Sequence, residues 1–243
     1  MVIELLTAHA SVRKYKNSPL SKENVAELVR AGQHAASSNF VQAYSVIHVT
    51  DADKRAKLAE LAKNPQQILS AGAVLVFCMD FHRIQQGAIS LGKEIDFSHA
   101  ENLLVGVTDV ALFAQNVAIA AESQEYGICY IGGVRNAPEE ISILFNLPTG
   151  VAPLFAMTIG VPDEANEVKP RLPIEAILHE NNYDYDKYKD IIPIYDEIMN
   201  DYYQGRGSNQ KNAAWSDSMA QFLGTPKRTH MKDFLKKQGF EFN

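Results

Sequence analysis

Cysteine is scarce in this chain of 243 residues: Cys78 and Cys129 are the only two, and neither belongs to a CxxC pair. That excludes a disulfide scaffold and a thiolate zinc centre, and each cysteine, set in a strongly apolar run, reads as a small buried hydrophobe. Basic charge is also in short supply. The formal charge of −6 argues against a nucleic-acid surface, where a basic excess is the usual footprint. No uninterrupted apolar run reaches the ~18 residues that a membrane-spanning helix needs, and no basic-then-apolar signal segment opens the chain. A cytoplasmic protein without membrane or nucleic-acid partners is expected. The signatures GxGxxG, GxxxxGK[ST] and GxSxG are missing, which disfavours a Rossmann dinucleotide domain, a P-loop and a nucleophile elbow. The histidines form no HExxH, and His82, His99 and His179 lack spaced partners, so no metal site is expected.

The apolar fraction of 46% is enough for a sizeable core. Ser21 is placed to cap a helix through Val25, Leu28 and Val29 to about Ala36. Tyr44 to Thr50 reads as a strand, and Leu58 to Ala62 as a short helix. The continuous apolar run Ala73 to Met79 reads as a central strand buried on both faces. Leu103 to Tyr126 is the most apolar helix candidate, with small residues such as Gly106 and Ala114 on several faces and with Asp109, Gln115, Asn116 and Glu122 excluding a bilayer. It reads as a buried central helix, suited to a subunit contact. Gly127 is placed to stop it. Ile128 to Ile131 predicts a short strand, Pro138 to Leu144 a helix, and Leu154 to Val161 a strand closed by Pro162. Helices and strands interleave, a three-layer α/β or α+β plan. From residue 174 to residue 243 the chain turns polar, tyrosine-rich and mostly helical, an excursion from a single domain spanning 1–243.

Two short cationic segments stand out: His9-Ala10-Ser11-Val12-Arg13-Lys14-Tyr15 and Lys169-Pro170-Arg171-Leu172-Pro173. Between them lie the hydroxyl-rich Ser37-Ser38-Asn39 and the turn Tyr130-Ile131-Gly132-Gly133. Each has an ordinary alternative: an exposed charged face, a loop after a helix, a plain turn. Together, at places where elements end, they make the donor set of a phosphate monoester, because charged forks and hydroxyls hold such groups strongly.

These segments, with Ala36-Ser37-Ser38-Asn39-Phe40-Val41-Gln42, Tyr130-Ile131-Gly132-Gly133-Val134-Arg135-Asn136 and the tail residues Tyr202-Tyr203, Arg206-Gly207-Ser208-Asn209-Gln210-Lys211 and Trp215-Ser216, resemble the flavin-dependent nitroreductases of the NADPH-preferring group A branch. The resemblance runs in order along nearly the whole chain. It implies an α+β three-layer fold with a central, mainly antiparallel sheet flanked by helices and an extended helical C-terminal excursion. It also implies non-covalent FMN at the interface of an intertwined homodimer. On that pattern Arg13 and Arg171 hold the phosphate, with His9 and Ser11 near it. Ser37, Ser38 and Asn39 line the flavin edge from the partner subunit, and Tyr130, Ile131, Gly132 and Gly133 contact the other side of the ring. Lys169 lies near the flavin and favours its reduced, anionic form, as protein charges tune a cofactor's electronics. Arg206, with Lys211, recognises the 2′-phosphate of NADPH. Phe40 shapes the acceptor pocket, core packing being its alternative.

The implied activity is an FMN-dependent NADPH oxidoreductase that reduces nitroaromatics, quinones or flavins by ping-pong hydride transfer and needs no dedicated catalytic side chain. A flavin reductase supplying reduced FMN, and a low-turnover flavin-binding protein, are the alternatives. Three positions depart from the pattern. Ala10 stands where Arg is frequent, Asn39 ends a run that is usually all serine, and Pro65 stands where a flavin-contacting Gln is common, with Gln66 or Gln67 as a substitute.

Overall fold

The structure, a computed structural model, describes residues 2–205 and 214–242. They fall into two compact units, residues 1–166 with 228–243, and residues 167–227. The first unit carries, in order, α1 (Val2–Thr7), α2 (Lys22–Gly32), β1 (Tyr44–His48), α3 (Ala52–Ala62), α4 (Pro65–Ser70), β2 (Ala73–Asp80), α5 (His82–Ser90), α6 (Ala100–Ser123), β3 (Gly127–Ile131), α7 (Pro138–Leu144) and β4 (Val151–Gly160). The second carries α8 (Ile174–Ile177), α9 (Tyr188–Gly205) and α10 (Trp215–Leu223), after which α11 (Met231–Lys237) belongs again to the first.

All eight residues of β2 are buried, as its unbroken apolar run predicts. A strand without an exposed face needs partners on both edges and cover on both sides. The sheet order β1-β2-β4-β3 supplies the edges, with every pairing antiparallel. Ala73, Leu75, Phe77 and Met79 face a cluster built with Leu28 of α2, with Val110, Phe113 and Val117 of α6, and with Phe234 of α11. Val74, Val76 and Cys78 face Leu58 and Ala62 of α3, Ile68 of α4 and Ile141 of α7. The unit is therefore helix, sheet, helix, an α+β fold with a fully antiparallel sheet.

Several boundaries differ from the sequence expectations for local reasons. α3 begins well before Leu58 because the Asp51 carboxylate accepts from Lys54 N at 2.8 Å and caps it. Ser21 does cap α2, accepting from Asn24 N at 3.1 Å, but the helix ends at Gly32. β4 starts at Val151, ahead of Leu154, because the register shifts between Phe77 and Cys78 and Pro153 lies opposite Cys78 at that irregularity. An irregular ladder tolerates a residue without an N–H. α6 stops at Ser123, and Glu125 (φ 63°), not Gly127, takes the left-handed turn. Gly127 opens β3 instead: a Cβ there would sit 2.5 Å from Val12 Cγ2. α1 and α5 bury no residue and were not among the expected helices.

In the second unit the described residues form helices and no strand. Tyr195 of α9 is buried; its hydroxyl donates to Pro170 O at 3.0 Å and its ring meets Trp215 edge-on at 5.8 Å.

The segment after α1 is laced to the sheet. Val12 N donates to Ile128 O (2.9 Å), Lys16 N to Val161 O (2.9 Å), and Tyr15 bridges Pro162. Glu164 completes the lacing: its Oε1 accepts from Arg13 N at 2.6 Å, Lys14 N at 3.2 Å and Asn166 Nδ2 at 2.9 Å. Partial burial pushes the Glu164 carboxyl up, but these hydrogen bonds outweigh it and hold the group below its ordinary value. A depressed folded pKa means stabilisation that is present above the unfolded value near 4.5 and is lost as pH falls through the folded one. Glu164→Gln is thus expected to lower the melting temperature at neutral pH. Thermal melts from neutral to acid should show the gap to wild type closing once the pH drops below that value.

Candidate functional site

The cationic segment is held by its backbone and leaves its side chains free. Arg13 is exposed, and its guanidinium makes one long contact, Nη1 to Ser11 O at 3.5 Å. Neither Arg13 nor Lys14 has a carboxylate partner for its side chain among the described residues; the nearby Glu164 is occupied by their backbone N–H groups. Asn166 Nδ2 reaches across to Ser11 O at 3.0 Å, so the Ser11 carbonyl is fixed while its hydroxyl is not. His9 is anchored differently, with Nδ1 2.5 Å from Glu122 Oε1 near the end of α6. The edge strand β3 runs beside this segment through the Val12–Ile128 pairing.

The hydroxyl-rich patch lies in a loop that is tied to the middle of α6. Asp109, 1% exposed, accepts from Ser37 Oγ at 2.7 Å, Ser38 N at 3.2 Å and Ala43 N at 3.0 Å. Ser37 Oγ also accepts from Gln42 N at 2.7 Å, so its hydroxyl is turned inward and fully engaged. Arg83 Nη2 donates to Gln42 O (2.8 Å) and Tyr44 O (2.7 Å), closing the far side. Ser38 and Asn39 remain exposed. Asn39 has φ 47° and ψ 24°, a left-handed conformation that Asn adopts more readily than most residues; its departure from serine thus has a backbone reason. Phe40 also has positive φ and is 80% exposed, so core packing does not account for it.

α6 connects these two groups and separates them. Asp109 and Glu122 are thirteen residues apart on it, which at 1.5 Å per residue is ~20 Å along the axis. Within one chain, His9 and the Ser37 loop therefore sit at distant points of the same helix.

At the end of β3, Tyr130 is 38% exposed, meets Phe155 edge-on at 5.4 Å and donates to Gln115 Oε1 at 3.3 Å. Burial of much of the ring pushes its phenol above the ordinary value. Ile131 is buried, and Gly132–Asn136 form a 3₁₀ turn. The two glycines differ. A Cβ on Gly133 would collide with Ala62 O and Asn64 Oδ1, so packing on the end of α3 demands it. Gly132 would meet only the tip of Arg135, at 3.3 Å, so its backbone is open to a close neighbour. Pro65 takes the first position of α4, where a missing N–H costs nothing; Gln66 is exposed and Gln67 half-buried.

In the second unit, Lys169 Nζ lies 5.2 Å from the centroid of the Tyr203 ring, and Arg171 Nη1 donates to Lys169 O at 3.1 Å. Both side chains are exposed. Arg206 and Lys211 lie outside the described residues. Sequence reasoning passed over Asp109, Glu122, Glu164 and Arg83 as site builders. Asp109 and Glu122 carried a signal, as carboxylates inside a mostly apolar helix.

Comparison with known proteins gives the family of the chain. The Nitroreductase family pattern matches residues 6–161, and that of the Nitroreductase family, C-terminal domain, matches residues 169–243. A Cr(VI) reductase from Pseudomonas sp. (strain G-1) is 56% identical over 242 residues, covering 100% of both chains. An FMN reductase (NADPH) from Bacillus subtilis is 38% identical, covering 99% of this chain and 98% of its own length. Among solved structures, a nitroreductase from B. subtilis superposes with a TM-score of 0.95 at 38% identity, covering 100% of both chains. Matched from residue 6 to its last residue, the chain belongs to the nitroreductase family.

Proposed function

We propose that the protein is an FMN-dependent NADPH oxidoreductase that passes electrons to nitroaromatics, quinones or flavins. The observation that carries the reading is the Arg13 guanidinium, without a carboxylate partner among the described residues, on a backbone that Glu164 and Asn166 hold still next to the Ser11 hydroxyl. This donor set suits a phosphate monoester. Gly132, open on its outer side, and the half-exposed Tyr130 suit the edge of a flat ring system. FMN therefore fits the residues present. Bound there, it would supply two-electron redox chemistry between NADPH and the acceptor.

The chain's own residues bind and orient. Arg13, Ser11 and His9 hold the phosphate end. Ile131, Gly132 and Gly133 bring backbone to the ring, and Tyr130 adds its ring edge. Ser38 and Asn39 offer outward polar groups to the flavin edge, and Phe40 faces the acceptor. No side chain is required to move a proton.

The ~20 Å between the His9 and Ser37 anchor points on α6 favours a site shared by two chains, with the Ser37 loop from the partner. α6 supports the same reading: Leu104, Val107 and Leu112 are exposed along one side of it, and Val2, Ile3 and Leu6 of α1 are exposed as well. Apolar patches of this kind mark interfaces. The reading is a homodimer in the cytoplasm, where two free buried thiols persist without difficulty. The kinship with a Cr(VI) reductase at 56% identity adds chromate to the acceptors worth testing, and that with an FMN reductase (NADPH) favours free flavin as a further one.

Purified protein is expected to show a flavin spectrum that NADPH bleaches without oxygen and that a quinone, a nitroaromatic or chromate restores. A spectrum that NADPH leaves unchanged would indicate a binding protein instead. Arg13→Ala should lower the FMN content of the purified protein. Arg206→Ala should leave FMN content intact and cost NADPH use about 1–3 kcal/mol, the worth of a charged hydrogen bond, with much less effect on NADH; equal losses would remove Arg206 from 2′-phosphate recognition. Light scattering should give twice the chain mass of 27.0 kDa.

A further inference from the structure

We propose that Asp109 is a positioning residue for the cofactor: it holds the loop of residues 37–43 in the shape that presents Ser38, Asn39 and Phe40 outward. The inference rests on the FMN reading above and extends it to a residue that does not itself touch the flavin.

The loop cannot keep this shape unaided. Asn39, Phe40 and Gln42 have φ values of 47°, 61° and 52°. Asn visits this region with ease, but for Phe and Gln it is sparsely populated. Such conformations persist only where the surroundings over-determine them, and they cluster at functional sites. Here the surroundings are explicit. One carboxyl group, on the buried side of α6, gathers both ends of the loop: Ser37 Oγ and Ser38 N at its start, Ala43 N at its finish. Gln42 N closes onto the same Ser37 hydroxyl. Arg83, from α5, grips Gln42 O and Tyr44 O.

Asp109 is 1% exposed, and the Ser37 hydroxyl proton is committed to it. What faces outward is what they leave: the side chains of Ser38 and Asn39 and a Phe40 ring that is 80% exposed. A rigid α6 at one end and a strained, exposed loop at the other make Asp109 the link between the core and the flavin edge. First-contact groups work only when a supporting shell holds them in place.

The test uses the full chain with FMN as the probe. FMN dissociation constants come from flavin fluorescence, and loop order from amide hydrogen exchange at Ser38, Gln42 and Ala43. Asp109→Asn, which keeps the volume but cannot accept from all three donors, should weaken FMN binding ~10-fold or more, the effect of losing hydrogen bonds to a charged group. The loop amides should exchange faster while those of β2 keep their protection. Because a buried substitution can fail to fold, Ser37→Ala provides a second variant at a less buried position. It should weaken FMN binding roughly 5-fold, and Ser37→Thr, which keeps the hydroxyl, should restore the wild-type value. Unchanged FMN affinity in both Asp109→Asn and Ser37→Ala, or unchanged exchange of the loop amides, would overturn the proposal. Wild-type protein that takes up no FMN at all would instead overturn the cofactor reading, and the exchange arm would still decide whether Asp109 holds the loop.

Discussion

Everything in the first unit follows from a strand that has no exposed residue. With β2 buried along its full length, the sheet must be covered on both faces, and the covering helices must turn their own apolar sides inward. Little polar chemistry is left in the middle of the fold, and what is there, such as Asp109 and Thr158, is hydrogen-bonded. The rest is displaced to the rims, where backbone leaves regular structure: the segment before α2, the loop before β1 and the turn after β3. Each rim segment then needs an anchor, because a loop on a packed core has few contacts of its own.

The anchors are carboxylates, and this reconciles an acidic chain with a cationic site. Glu164 takes backbone N–H groups from Arg13 and Lys14, and Asp109 takes backbone and hydroxyl donors from the Ser37 loop. Among the described residues Glu164 forms no close ion pair with Arg13 or Lys14, the cations whose backbone it positions. A carboxylate bound to a neighbouring guanidinium would compete with an incoming phosphate. One bound to the peptide groups instead fixes the backbone and leaves the positive charge outward. Net charge therefore says little about what a given rim will attract; the direction in which each acid is bonded says more.

The large-scale plan was legible in the sequence because it rests on periodicity and apolar runs. The β2 run, the Ser21 cap and the Pro138–Leu144 helix all express local rules. Cys78 and Cys129 are buried as their apolar surroundings suggest, and burial pushes both thiols up. The end of α6 was misplaced because a distant contact overrides a local signal. Gly127 looks like a helix stop, but its missing side chain makes room for Val12. Asn39 looks like a lapse in a serine run, but its backbone is left-handed. Gly133 looks like part of a ligand turn, and packing on α3 already requires it. Glu164 had no signal at all, since a single acid among surface acids becomes an anchor only through partners more than a hundred residues away.

α6 also acts as a ruler. It grips the Ser37 loop at Asp109 and His9 at Glu122, and the interval between them is unbroken helix. Adding or removing one residue there would turn one carboxyl by ~100° relative to the other and unhook one of the two segments. The chain can therefore vary in length between α5 and α6, or after α7, far more freely than inside this stretch of helix. Its register is a dimension of the site, fixed as firmly as any contact made in it.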